Sequence, residues 1–255
     1  MKKVLLILTS VLLSVGSVYA DSHEMEKTSF TPVETFTCDY NDGKGPADLD
    51  KVIKSWNDMM DKEGQGDYFA ALITPVYYGE HMFDVGWLGV WRDGNAMGSG
   101  TDWWLSNGGK VAEGFADVLT CKSHTNFASQ NIRKAPPNDD ESDMDFVLSF
   151  RNCSMKEGKE YSEFTAAHKE WSAYADEHGI AEANWIWWPV SGEANNDYDF
   201  KFLTGSDDHT AAGANWQLYS EGHFMKSNEL MEDLVDCDIS RVYSGRTIRV
   251  MADAE

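Results

Sequence analysis

CDYNDGKGPADLDKVIKSWNDMMDKEG, residues 38–64, and CSMKEGKEYSEFTAAHKEWSAYADEHG, residues 153–179, read as two versions of one segment. A shift of 115 residues lays Cys38 on Cys153, Gly43-Lys44 on Gly158-Lys159, Lys54 on Lys169 and Trp56 on Trp171. The same shift lays Asp61 on Asp176 and Gly64 on Gly179, making seven identities in 27 positions without a gap. Ordinary residue usage gives roughly one or two. Small slips of register extend the match outward, pairing Pro75 with Pro189, Asp84 with Asp199, Trp103 with Trp216 and Leu105 with Leu218. Asp117 then meets Asp233, and Cys121 meets Cys237. The chain reads as a tandem duplication, with copies over 31–133 and 146–250.

Both copies show the same order of periodicities. Each opens on a strand, as where Phe146, Leu148 and Phe150 alternate with Val147, Ser149 and Arg151. A glycine turn follows at Gly43 or Gly158, then a helix. The apolar face of that helix is Leu49, Val52, Ile53, Trp56, Met59 and Met60 in copy one. In copy two it is Tyr161, Phe164, His168, Trp171, Ala175 and His178, again at spacings of three and four. Pro46 occupies a first-turn position, where a missing N–H costs nothing. A second strand runs over Tyr68 to Thr74, or Asn184 to Trp188, and is expected to stop at Pro75 or Pro189. A third covers Phe83 to Trp91, or Tyr198 to Thr204. A second helical region is expected to open near Asp93 or Ser206. Gly108-Gly109 and Gly222 interrupt it, and a final strand follows the second Cys of each copy. The order is β-α-β-β-α-β, the ferredoxin-like unit.

Two such units in one chain resemble the dimeric α/β-barrel superfamily in fused form. Element order, repeat length, the duplication and the glycine-lysine turn before a Trp-bearing helix carry the resemblance. It spans nearly the whole chain after residue 30 and points to no particular member family. It implies an α+β fold, with two facing four-stranded sheets closing an intramolecular barrel and helices outside. It implies a monomer, because the copies satisfy each other's pairing. The superfamily includes cofactor-free monooxygenases and haem proteins, but fold alone transfers no activity. The residues themselves predict no cofactor, and the resemblance leaves haem open.

In a sheet of this kind the last strand lies antiparallel beside the first. That implies Cys38 with Cys121 and Cys153 with Cys237, one bridge duplicated with its unit. Cross-copy bridges and free or metal-bound thiols are the other readings of four cysteines. No CxxC spacing is present, which weakens zinc and redox readings.

The candidate chemistry lies where the copies differ. His168 stands where copy one has Ile53, and His178 where it has Glu63. A histidine on a helix face that packs on a sheet is usually a hydrogen-bonded core residue; the functional alternative is a haem or metal ligand. His168 and His178 are ten residues apart on one helix, too far to chelate one ion. Asp207-Asp208-His209, with His223 beyond, is the most metal-like cluster, but acids in a helix's first turn are favoured by the dipole without any metal. No metal site is predicted. His168 and His209 remain the two candidate catalytic histidines. Asp39 to Asp50 imitates a calcium loop, but Gly43 is fifth and Asp50 twelfth, where glycine sixth and glutamate twelfth are needed.

Trp185, Trp187 and Trp188 share one short strand, so they face both sides of the sheet. Copy one has the smaller Ala71, Ile73 and Thr74 there. Large rings opposite small groups either fill the barrel or line a cavity for an apolar or planar ligand. Trp185, Trp187, Trp188, Ala71 and Ile73 are therefore the candidate ligand-binding residues.

The ends and the composition bound the rest. Lys2 and Lys3, the apolar run Val4 to Leu13 and Val18-Tyr19-Ala20 read as a signal peptide over 1–20. A polar lead-in covers 21–30, an acidic, proline-containing linker 134–145, and a tail 251–255. No later segment is long and apolar enough to span a bilayer. With 21 basic and 43 acidic residues, the net charge is −22. That surface repels nucleic acid and anionic lipid and favours solubility; the signal peptide implies a periplasmic or secreted protein. Ten Trp, 10 Tyr and 12 Phe supply a substantial core. No Ser-His-Asp set, phosphate loop or dinucleotide fingerprint occurs. Three functions follow as expectations: binding a small apolar or aromatic molecule in the barrel, cofactor-free or haem-dependent oxygenation, or docking a partner on the acidic surface. Whether the chain is an enzyme stays open.

Overall fold

The computed structural model describes residues 29–80, 82–135, 145–192 and 197–252. The expected signal peptide and most of the expected linker lie outside the described residues. The first unit runs β1 (Thr31–Tyr40), α1 (Pro46–Lys62), β2 (Tyr68–Tyr77), β3 (Val85–Trp91), α2 (Gly94–Asn107), α3 (Gly109–Val118) and β4 (Leu119–Arg133). The second runs β5 (Asp145–Met155), α4 (Tyr161–Glu177), β6 (Ala183–Ser191), β7 (Phe200–Ser206), α5 (His209–Leu218) and α6 (Phe224–Met231). It ends with β8 (Val235–Cys237) and β9 (Arg241–Arg249). A kinked segment, Tyr219–His223, with Gly222 at φ 125°, joins α5 to α6.

The strands form one antiparallel circle, β7-β6-β4-β1-β3-β2-β9-β5, which pairing between β7 and β5 closes. Short β8 extends the edge beside β9 by pairing with the end of β5. The two units are interleaved. The last strand of the first, β4, pairs with β1 and with β6 of the second. The last strand of the second, β9, pairs with β5 and with β2 of the first. This is the expected intramolecular α/β barrel. Among the described residues, no helix is long and apolar enough to cross a membrane.

Alternation along each strand divides the side chains between two environments. Ala71, Ile73, Leu88, Phe127, Leu148, Phe150, Trp187 and Leu203 point inward and form the barrel core. Neighbouring positions point outward beneath the helices. Leu49, Ile53, Trp56 and Met60 of α1 are buried, and so are Phe164, His168, Trp171 and Ala175 of α4. Truncating a buried ring such as Trp56 to Ala is expected to cost about 3–5 kcal/mol. Gly64 and Gly179 follow these helices with φ of +68° and +71°, the left-handed conformation that glycine adopts without a Cβ penalty.

Local expectations were corrected at three points. Pro75 and Pro189 do not stop their strands; β2 and β6 run on to Tyr77 and Ser191. Register shifts at these points spare each proline a missing ladder donor. The third strands begin later than read, at Val85 and Phe200. The helix after β7 is capped by Asp208, not Ser206: its carboxylate accepts from the Ala211 N–H at 2.6 Å. Two disulfides, Cys38–Cys121 and Cys153–Cys237, lie within their own units.

Candidate functional site

The aromatic strand β6 fills the barrel. Trp187 is 4% exposed and contacts Phe127 and Phe150 at ring separations of 5.4 Å each. Trp185 packs against the same core as Ala71 and Ile73. Trp188 points the other way, edge-on to Tyr161 of α4 at 5.0 Å. Four of the five candidate ligand-binding residues are thus core, and the fifth lies under a helix. The Trp187 indole N–H is buried without a protein partner.

Open space lies at the barrel mouth. A cleft of about 720 Å³ separates the β2–β3 loop of the first unit from the β8–β9 junction of the second. Its floor is the stacked pair Phe83 and Tyr243, 5.8 Å apart at 4°. Tyr243 continues into the core by an edge contact with Phe150 at 5.3 Å. Tyr77, Met82 and Ile239 form the rim and are 70%, 65% and 90% exposed. Apolar side chains so exposed are a liability unless something covers them.

Two local features open this cleft. The bulge at Pro75 carries β2 out to Tyr77. Asp238 to Ser240 then break the final strand into β8 and β9, whereas β4 runs unbroken. At the matching seam between β4 and β6 the two backbones approach closely. A Cβ on Gly192 would stand 2.1 Å from the His124 carbonyl oxygen, so only glycine permits the approach.

Polar side chains in the cleft are Tyr77, Tyr78, Glu80, Asp238, Ser240, Arg241 and Tyr243, and two of them pair with each other. Arg241 forks onto Asp238 at 2.8 and 3.2 Å, and Asp238 accepts from the Asn152 N–H at 2.7 Å. Burial raises the Tyr243 phenol, which stays protonated. The Ser240 hydroxyl is buried without a protein partner. This arrangement can hold an apolar body and meet one polar group. Its described residues include no histidine or cysteine and offer no nucleophile–base pair.

The two candidate catalytic histidines lie elsewhere and apart. His168 is 1% exposed between α4 and the sheet. Its Nε2 donates to Asn184 Oδ1 at 3.2 Å, and its Nδ1 faces the Ser172 hydroxyl at 3.4 Å. Burial lowers its pKa to about 4, so the ring is neutral at pH 7. His209 is exposed, with Nε2 2.6 Å from Ser244 Oγ. His223, grouped with it by sequence, instead meets Tyr174 and His178. Among the described residues, no group of three or more His, Cys, Asp or Glu could hold a metal. The cleft was not foreseen from sequence; the signals that could have marked it are Tyr77-Tyr78 beyond Pro75 and the polar break Asp238-Ile239-Ser240.

No family model matches the sequence, and no match emerges among curated proteins. Solved structures do match. A candidate monooxygenase from Fusobacterium nucleatum subsp. nucleatum aligns over 89% of this chain and 96% of its own, with TM-score 0.55 and 10% identity. A candidate chlorite dismutase aligns over 86% and 95%, with TM-score 0.52 and 11% identity. A haem-binding protein from Thermus thermophilus aligns over 86% and 91%, with TM-score 0.50 and 12% identity. At such identities the likeness establishes the fold, the dimeric α/β barrel in a single chain.

The haem suggested by the last of these names does not fit the two candidate histidines. His168 has both ring nitrogens facing protein groups and its flanks filled by Phe164 and Phe202, at 6.1 and 5.8 Å. His209 lies on the surface, its Nε2 taken by Ser244.

Proposed function

We propose that the barrel-mouth cleft binds a small, flat, largely apolar molecule bearing one hydrogen-bonding group. The carrying observation is the exposed rim of Tyr77, Met82 and Ile239 above the stacked Phe83–Tyr243 floor, beside the partnerless Ser240 hydroxyl. Such sites combine apolar walls with few placed polar groups. The test is titration with neutral N-phenyl-1-naphthylamine, whose binding the acidic surface does not oppose. Saturable binding is expected, weakened at least about tenfold by Ile239→Asp or Met82→Asp and unchanged by Leu105→Asp on α2. Absent saturation, or equal binding by all three variants, overturns the reading.

The likeness to a candidate monooxygenase favours one second reading, cofactor-free oxygenation of an electron-rich aromatic in the same cleft. Oxygen consumption with phenolic substrates tests it. Turnover that survives Ile239→Asp would place any such chemistry elsewhere. Two disulfides support export to an oxidising compartment, and barrel closure within one chain supports a monomer.

A further inference from the structure

The structure assigns a second site to the outer face of the second unit, where we propose that His178 and His223 together bind one zinc-class divalent cation. His178 is the C-cap of α4. The kink between α5 and α6, with Gly222 at φ 125°, brings His223 beside it. The two rings lie 4.8 Å apart, centroid to centroid, at 61°. That spacing lets one ion serve both, since zinc–imidazole bonds are about 2.0–2.1 Å.

Proton placement supports the same conclusion. His178 Nδ1 is 2.8 Å from the Tyr174 carbonyl oxygen. A carbonyl only accepts, so Nδ1 is the donor in this contact and Nε2 is the nitrogen left to serve as a ligand. This is how metal-bound histidines are oriented, with the other ring nitrogen donating to a carbonyl or carboxylate. His223 Nδ1 is 2.7 Å from the Tyr174 hydroxyl, which can rotate to accept and leave His223 Nε2 as a second ligand. Tyr174 also stacks on His178 at 4.0 Å and 25°. It is a positioning residue for both imidazoles.

The surroundings suit a cation. Both histidines are half-buried, so solvent reaches them. The neighbouring Lys226 is held by Glu170 at 2.9 Å and Glu229 at 3.4 Å. Two imidazoles favour zinc, cobalt, nickel or copper over calcium or magnesium. Water would complete the coordination, leaving an open site. In the first unit the matching positions hold Glu63 and Lys110, so the pair is confined to one half of the chain.

Cobalt(II) titration of the full chain, followed by visible absorption and zinc displacement, tests this. One equivalent is expected, with affinity falling at least about tenfold in His178→Gln and in His223→Gln. His209→Gln, His124→Gln and His23→Gln should leave that equivalent intact. Tyr174→Phe should weaken binding and shift the cobalt band, a change that loss of packing alone would not produce. Absence of a one-equivalent phase overturns the proposal, as does a phase that survives both His178→Gln and His223→Gln. Circular dichroism of each variant confirms that the fold is retained. The cleft and this site share no residue, so either can fail alone.

Discussion

Tyr68 donates its hydroxyl to Glu34 across 2.7 Å, joining the start of β2 to β1 through a phenol that is 5% exposed. The same oxygen accepts the Trp87 indole N–H at 2.9 Å, and the second Glu34 oxygen meets His124 Nε2 at 2.7 Å. Burial, then the Glu34 charge, holds the Tyr68 pKa well above its ordinary value, so the phenol remains a donor. Tyr68→Phe strands the Trp87 N–H and removes a donor from Glu34. A loss of about 1–3 kcal/mol is expected, read as a lower urea midpoint at unchanged slope.

His168 gives the fold a built-in acid sensitivity. Its folded pKa of about 4 lies below the unfolded value near 6.5, so the unfolded chain takes up the proton first. Its contribution is fully present above about pH 6.5 and is lost as pH falls toward 4, to the extent of roughly 3 kcal/mol. Glu182 runs the other way, because burial raises its pKa and its charging opposes folding as pH rises. The difference between parent and His168→Gln isolates the histidine. Urea midpoints at pH 7.5 and 4.5 should converge in the variant relative to the parent.

The two disulfides should be equal in stability and unequal in function. They close stretches of 83 and 84 residues, each expected to contribute roughly 4 kcal/mol in the chain-entropy model. Cys38–Cys121 lies within the long β1–β4 ladder, while Cys153–Cys237 anchors the three-residue β8 next to the cleft. Melting of the two double-serine variants should show similar losses. Probe binding at a temperature where both remain folded should weaken only when Cys153–Cys237 is removed.

Arg133 crosses the seam between the units. From the end of β4 its Nη2 donates to Asp176 at 2.7 Å and to the Ile180 carbonyl at 2.6 Å. Its Nε and Nη1 are buried without hydrogen-bond partners, with Glu182 3.9 Å from Nη1. Removing the guanidinium alone leaves that carboxyl uncompensated, so Arg133→Ala should cost about 3–5 kcal/mol. Arg133→Met combined with Glu182→Gln should recover most of it, and chemical denaturation of the two variants decides.

Periodicity made much of this architecture legible. Alternation in β5, the three-four spacing of α1 and α4, and the Cys38/Cys153 register led to the barrel because each reports which face of an element is buried. Strand ends are not written in that code. Pro75 and Pro189 read as stops, and only pairing with the opposite unit shows them at bulges. The cleft arises from such an end, where Asp238 to Ser240 interrupt a strand that its counterpart completes. The tryptophans of β6 drew attention because they are large, yet size marks a filler as readily as a ligand wall. His178 and His223 lie far apart in sequence; Gly222 marks an interruption there, but the pattern does not say which residue the kink brings to His178.

Interleaving also orders events in time. Asn57 of α1 donates to the carbonyl of Ile248, 191 residues later, and Arg246 reaches back to Asp50. Until β9 emerges, β2 and β5 each lack a neighbour, and the nascent chain presents two open sheet edges. Strand β9 is therefore the one that seals the cylinder. A chain truncated before Arg241 would seek another molecule's edge instead, turning an intramolecular closure into aggregation.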